Sequence, residues 1–157
     1  MADRTTNTLY ETKGADRLAV PIANGETLPV GTLVQIQSGF ANHYDGTSTL
    51  AGIVLGGENL SSTQIPTGDT SLTPDPSVYV DASGPVITGI PVASASVIGA
   101  YVYCNDSNLD NATITQPSTD APIGFLIGFR SASDCDVQLF TPLQHTIGVQ
   151  GGGSAWT

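Results

Sequence analysis

The sequence predicts an all-β protein: a small, glycine-punctuated antiparallel β-barrel or sandwich with an extended N-terminal arm and a flexible C-terminal tail. Three observations carry this. Strong helix formers are scarce: Glu11, Glu26, Glu58, Lys13 and Met1 are the only residues of their kinds, against 18 Gly and 10 Pro, so few solvated helix faces can be built. Short runs rich in Val, Ile and Thr show the strand period. Turn signals recur about every 8–12 residues, the spacing of small sandwiches and barrels.

The elements follow in order. Residues 1–16 are polar and without periodicity, which reads as an arm that needs a partner to order it. Arg17–Ala23 alternates, with Leu18, Val20 and Ile22 on one side, and Pro21 confines this strand to an edge or an end. Asn24-Gly25 is a turn, Thr32–Gln37 a strand, Ser38-Gly39 a turn, His43–Ser48 a polar loop and Leu50–Leu55 an apolar strand. The Pro- and Gly-rich stretch 58–76 is long enough to be functional or mobile.

Strands follow at Ser77–Asp81 and Val86–Val92, then a short helical turn at Ala93–Ile98. In the strand Ala100–Cys104, Ala100, Val102 and Cys104 share one face and Tyr101 and Tyr103 the other. Asn105–Asn111 is a polar loop, Ala112–Thr115 a short strand, and Pro122–Arg130 and Asp136–Phe140 complete a β domain over 17–140. The tail, 141–157, reads as a glycine-rich tether tipped by Trp156. A faint repeat links Val30–Val34 with Gly52–Leu55, and Ile98–Val102 with Gly124–Ile127; two copies of one hairpin-like unit suit a barrel.

Charge narrows the function classes. The net charge is −10 and charged residues are only 11% of the chain, so the polar surface is mostly Ser, Thr, Asn, Gln and Gly. Residues 1–17 are neutral, with Arg4, Lys13 and Arg17 against Asp3, Glu11 and Asp16. From residue 18 onward Arg130 is the sole cation. Such a body repels nucleic acid and anionic bilayers. No apolar run reaches the ~18 residues of a membrane span. Met1–Gly14 lacks the apolar core of a secretory leader, so synthesis in the cytosol is expected.

Catalytic motifs are thin. His43 with Asp45 offers a base and an orienting group on paper, but a loop histidine reads first as solvated, as does His145. Asp106-Ser-Asn108-Leu-Asp110-Asn111 opens like a calcium loop, yet Asn111 and Pro117 stand where an EF-hand needs Gly and Glu. Its plain reading is a polar hairpin loop. Cys104 and Cys135 read as reduced, buried small residues; paired, they would close a loop of ~30 residues worth about 3–4 kcal/mol. Asp134 and Asp136 flank Cys135 and disfavour a reactive thiolate. No catalytic residue, metal ligand or cofactor site is assigned. The partner-binding candidates are the arm residues Arg4, Tyr10, Lys13 and Arg17, and Trp156 as an anchor for a neighbour's pocket.

From Gly25 to Phe140 the segments form an ordered series. It runs Gly25-Glu-Thr-Leu-Pro-Val-Gly31-Thr-Leu-Val34, Leu50-Ala-Gly52-Ile-Val54, Ser77-Val-Tyr-Val80 and Val86–Val92. It continues through Ile98-Gly-Ala-Tyr-Val-Tyr103, Ile123-Gly-Phe-Leu-Ile127 and Asp136-Val-Gln-Leu139. This series resembles the capsid decoration (cement) proteins of tailed bacteriophages. The resemblance implies a small β-barrel that binds the outer face of the major capsid protein lattice, often as a trimer at threefold positions, with no catalytic residues and no cofactor. It places the protein on the outer capsid surface of the virion, as a homo-oligomer with a trimer favoured. The arm is longer than the family pattern and 58–76 is an insertion relative to it. With 11 acids from residue 18 onward, the body is expected to face solvent. The alternative is a carbohydrate- or receptor-binding β-module on a virion surface, with Tyr44, Tyr79, Tyr101 and Tyr103 as an exposed sugar platform. A small hydrolase is a third class, lacking a catalytic set.

Overall fold

The run Leu50-Ala51-Gly52-Ile53-Val54 has no polar side to offer water, the mark of a strand covered on both faces. In the structure, a computed structural model, all five residues are buried. It describes residues 4–8, 12–13, 17–58, 63–117 and 120–150, with the backbone alone at 12–13 and 147–150. The run is the core of strand β5, Leu50–Gly57.

The other strands are β1 (Thr12–Lys13), β2 (Arg17–Pro21), β3 (Leu33–Gln37), β4 (Phe40–His43), β6 (Ser77–Asp81), β7 (Val86–Ile90), β8 (Tyr101–Val102), β9 (Gly124–Ser131) and β10 (Asp134–Leu139). They form two antiparallel sheets, ordered β1-β7-β10-β9-β8 and β2-β6-β5-β3-β4. The all-β prediction holds as a sandwich-like fold, and the barrel alternative does not. The second sheet curls until Ile22 bridges Ala41 and the Ala23 N–H donates to the Ala41 carbonyl at 3.1 Å. That single contact is no ladder between β2 and β4, so neither sheet closes.

The curl creates two cores. One lies between the sheets and includes Leu33, Ile53, Ile87, Ile90, Leu126, Val137 and Leu139. The other lies within the curled sheet, with Val20, Ile22, Leu28, Val34, Val54, Val78 and Val80. Adjacent residues on one strand, Leu33 and Val34 or Ile53 and Val54, serve opposite cores, as the period of two requires. Both repeat matches fall on neighbouring antiparallel strands, β3 with β5 and β8 with β9, one pair in each sheet.

Several local expectations change. Phe40–His43 is a strand paired to β3, with Ser38-Gly39 as its turn (φ +52° and +85°). Thr12–Lys13 of the arm adds to β7 at a sheet edge. Ala93–Ile98 contains turns and a bridge from Ala93 to Thr113, not a helical turn, and Thr113 makes bridges only. The described part of 58–76 is stitched down: Leu28 N–H donates to Pro66 O and Gly68 N–H to Glu26 O, both at 2.8 Å. Gly68 packs so closely that a Cβ there would stand 1.9 Å from Ala23 O.

The tail expectation is corrected over 142–150. Pro142–Gln150 is a helix, α1. Thr141-Pro-Leu-Gln144 starts it: Gln144 N–H donates to Thr141 Oγ1 (3.3 Å), and Thr141 N–H donates to Gln144 Oε1 (2.8 Å). This is a reciprocal capping box, with Pro142 where its missing N–H costs nothing. Among the described residues no helix is long and apolar enough to cross a membrane.

Candidate functional site

The arm residues settle differently from one another. Arg4 is buried, not displayed. Its guanidinium donates to Asn108 Oδ1 (2.8 Å) and to Thr8 Oγ1, and stands 3.7 Å from Asp110. The same segment is laced down by Thr8 N–H to Val30 O (2.8 Å) and Val30 N–H to Asn7 Oδ1 (2.9 Å). Arg4 is therefore a tie between arm and body. Arg17 is exposed on β2, its guanidinium 5.7 Å from the Tyr79 ring centroid. Lys13 lies opposite Val86 in the β1–β7 pairing, with its side chain outside the described residues. Tyr10 and Trp156 lie outside the described residues altogether.

The loop that opens like a calcium site receives an arginine. Asp106 Oδ1 accepts the Asn108 N–H and Asp106 Oδ2 the Asn111 amide, both at 2.9 Å, while Asn108 Oδ1 takes Arg4. The loop is turned inward: Asp106, Ser107 and Leu109 are buried, and Ser107 O accepts the Leu33 N–H at 3.0 Å. Leu109–Asn111 forms a 3-10 turn capped by Asn108. Among the described residues no three His, Cys, Asp or Glu side chains gather as metal ligands.

The His43–Asp45 pair that the sequence allows on paper is not formed. His43 Nδ1 lies 2.7 Å from Glu26 instead. Asp45 turns to Gln35, Thr47 and Ser48. Partial burial works against its charge, but the N–H groups of Ser48 and Thr47 win and hold its carboxyl down to about 2.

His145, read as solvated, is fully buried on α1. Its Nδ1 accepts the Leu50 N–H (3.1 Å), and its Nε2 lies 3.0 Å from the Tyr44 hydroxyl. An acceptor at Nδ1 fixes the neutral tautomer with the proton on Nε2, facing Tyr44. Burial pushes the ring's pKa down to about 4.

Both cysteines are unpaired and buried. Desolvation raises the Cys104 thiol to about 12 and the Cys135 thiol upward. Neither is a ready nucleophile.

The four tyrosines form no platform. Tyr44 and Tyr103 are buried. Tyr79 lies on the curled sheet, and Tyr101 on the other sheet stacks on Phe125 at 5.1 Å.

The structure also gathers residues that sequence reasoning passed over. Ile127 and Phe129 on β9 are exposed, as are Val97 and Ile98 in the turn before β8. The Gly99 N–H donates to Leu126 O at 2.7 Å, which brings that turn beside β9. Ile127 falls out of register with β10, since Leu126 pairs Val137 and Gly128 pairs Asp136. The slip turns an apolar residue outward. The unbroken run without a polar side chain from Pro122 to Phe129 was the available signal. No protein-family model, curated protein or solved structure matches the chain.

Proposed function

We propose that this chain is a structural virion protein that binds the outer surface of a major capsid protein lattice and stabilises the mature head. The observation that carries this reading is the ordered series of glycine-punctuated segments from Gly25 to Phe140 that resembles the capsid decoration proteins of tailed bacteriophages. Two features of the surface support it. Charge is sparse, at 11% of residues, as suits a chain that works in an assembly. Val97 and Ile98 in the turn beside β9, with Ile127 and Phe129 on it, expose large apolar side chains, a common mark of a protein contact.

The mechanism is mass action. A protein that binds the expanded shell and not its precursor stabilises the expanded shell. Many copies, each bridging neighbouring capsomers, add modest contacts through multivalency. The reading assigns no catalytic residue and no cofactor. Of the sequence-derived contact set, Arg4 anchors the arm to its own body, so Tyr10, Lys13, Arg17 and Trp156 remain as the residues proposed to reach the lattice.

The test is cosedimentation with undecorated, expanded capsids, followed by a capsid melting scan. Saturable binding with a raised capsid melting temperature is expected, weakened by Trp156→Ala with the β domain still folded. Absence of binding across a panel of expanded shells would refute the proposal.

A further inference from the structure

At the tip of the β3–β4 hairpin lies a cleft of about 320 Å³, lined by Asn24, Gln37, Ser38, Phe40, Asn42 and Thr70. That volume is at the small end of ligand pockets. We propose that this cleft is a binding site for a neutral saccharide of one or two residues. The inference is independent of capsid binding.

The lining is chemically consistent with that ligand. It holds three carboxamides, two hydroxyls and one aromatic ring, and no charged side chain. Sugars are bound by an aromatic face against their C–H groups and by amides, which donate and accept at once, against their hydroxyls. Phe40 supplies the half-buried ring. Asn24 uses its Oδ1 on the Thr70 N–H (3.3 Å), and Asn42 uses its Nδ2 on Phe40 O (3.1 Å), which fixes both amides and leaves Asn24 Nδ2 and Asn42 Oδ1 without a partner among the described residues. Gln37 and Ser38 have no side-chain partner among the described residues. Charged ligands fit poorly: the lining offers no carboxylate to a cation, and the net charge of −10 disfavours an anion.

Two further observations point to a compact ligand rather than a peptide strand. The edge of β4 beside the cleft is taken, because Ile22 bridges Ala41 and the Ala23 N–H bonds its carbonyl, so no main chain can add there. Ser38 holds a left-handed backbone, φ +52°, where glycine is the economical choice. A serine at that position costs on the order of 1 kcal/mol, and the hydroxyl it keeps lines the cleft.

The test uses the full chain, labelled with nitrogen-15, titrated with N-acetylglucosamine, lactose, maltose and cellobiose. At least one sugar should shift the side-chain amide signals of Asn24, Gln37 and Asn42 saturably. Gln37→Ala and Ser38→Gly should each weaken that binding about fivefold, the worth of one hydrogen bond. Ser38→Gly suits the turn better than serine does, so it leaves the fold intact. The proposal fails if none of the four sugars moves those signals. It also fails if the shifts map elsewhere, or if both variants bind as the parent does. Capsids play no part in this experiment, so its failure leaves the capsid reading untouched.

Discussion

Lowering the pH should loosen this fold in a window set by one residue, His145. Its ring is fully buried, and its Nδ1 accepts the Leu50 N–H at 3.1 Å. Protonating Nδ1 would set two donors against each other and place a charge between α1 and β5. The folded ring therefore titrates at about 4, against an ordinary value of 6.5. Above 6.5 the ring is neutral in both states and stability is unaffected. Between 6.5 and about 4 the unfolded chain takes a proton that the folded chain refuses, so stability falls as the pH falls. That gap, at about 1.4 kcal/mol per pH unit, amounts to about 3 kcal/mol, a large share of the 5–15 kcal/mol that holds a typical domain. The assay is urea unfolding followed by circular dichroism from neutral pH downward. His145→Gln is the comparison, since a glutamine amide can accept from Leu50 and does not titrate. The variant starts less stable but should lose the slope between 6.5 and 4. Parallel slopes in the two proteins would refute the reasoning. Asp45 acts in a separate window: with its carboxyl held at about 2, its contribution is lost only as the pH falls below 3.8.

The remaining predictions concern the two ends. Thr141→Ala removes half of the capping box and should cost about 1 kcal/mol, seen as faster amide hydrogen exchange over 142–150 with the sheets unchanged. Arg4→Ala removes the donor to Asn108 and Thr8; it should expose the arm to limited proteolysis well below the concentration of urea that unfolds the sheets, and the unfolding midpoint of the β domain should move little.

The strands were legible because burial and period agree in them. Ser77–Asp81 matches its sequence boundaries because Val78 and Val80 point into one core while their neighbours do not. The helix was missed although its start is written in Thr141-Pro-Leu-Gln144, because the glycines beyond it dominated the reading of the tail. No local pattern marks the burial of His145, which depends on a backbone N–H distant in sequence at Leu50. Arg4 is the same kind of case: a lone arginine in a polar arm looks like a solvated charge, and only the tertiary fold brings Asn108 and Asp110 to it. The cleft escaped for a related reason, since Asn24 and Thr70 are ordinary turn and loop residues and Gln37 an ordinary strand-end residue until the hairpin, the turn after β2 and the 63–76 segment meet.

Edge geometry then constrains how this molecule can meet a partner. An open strand edge invites pairing with another chain, and natural sheets guard against it. β2 ends in Pro21 and carries Arg17. β4 is bridged by Ile22. β1 is two residues long and sits over the edge of β7. β9 runs past the end of β8, but its register with β10 slips at Ile127 and again at Arg130, and such bulges spoil an edge for regular pairing. The second slip accompanies a tight cluster, because Arg130 reaches back to Asp134 and Asp136 at 2.8 and 2.6 Å. Two of the described arginines are engaged within the chain, Arg4 in the loop and Arg130 with its two aspartates, while Arg17 stays exposed over Tyr79. Strand addition is therefore not the natural means of contact for the described surface. Side-chain packing, as at the exposed apolar residues Val97, Ile98, Ile127 and Phe129, is a contact that should depend little on salt.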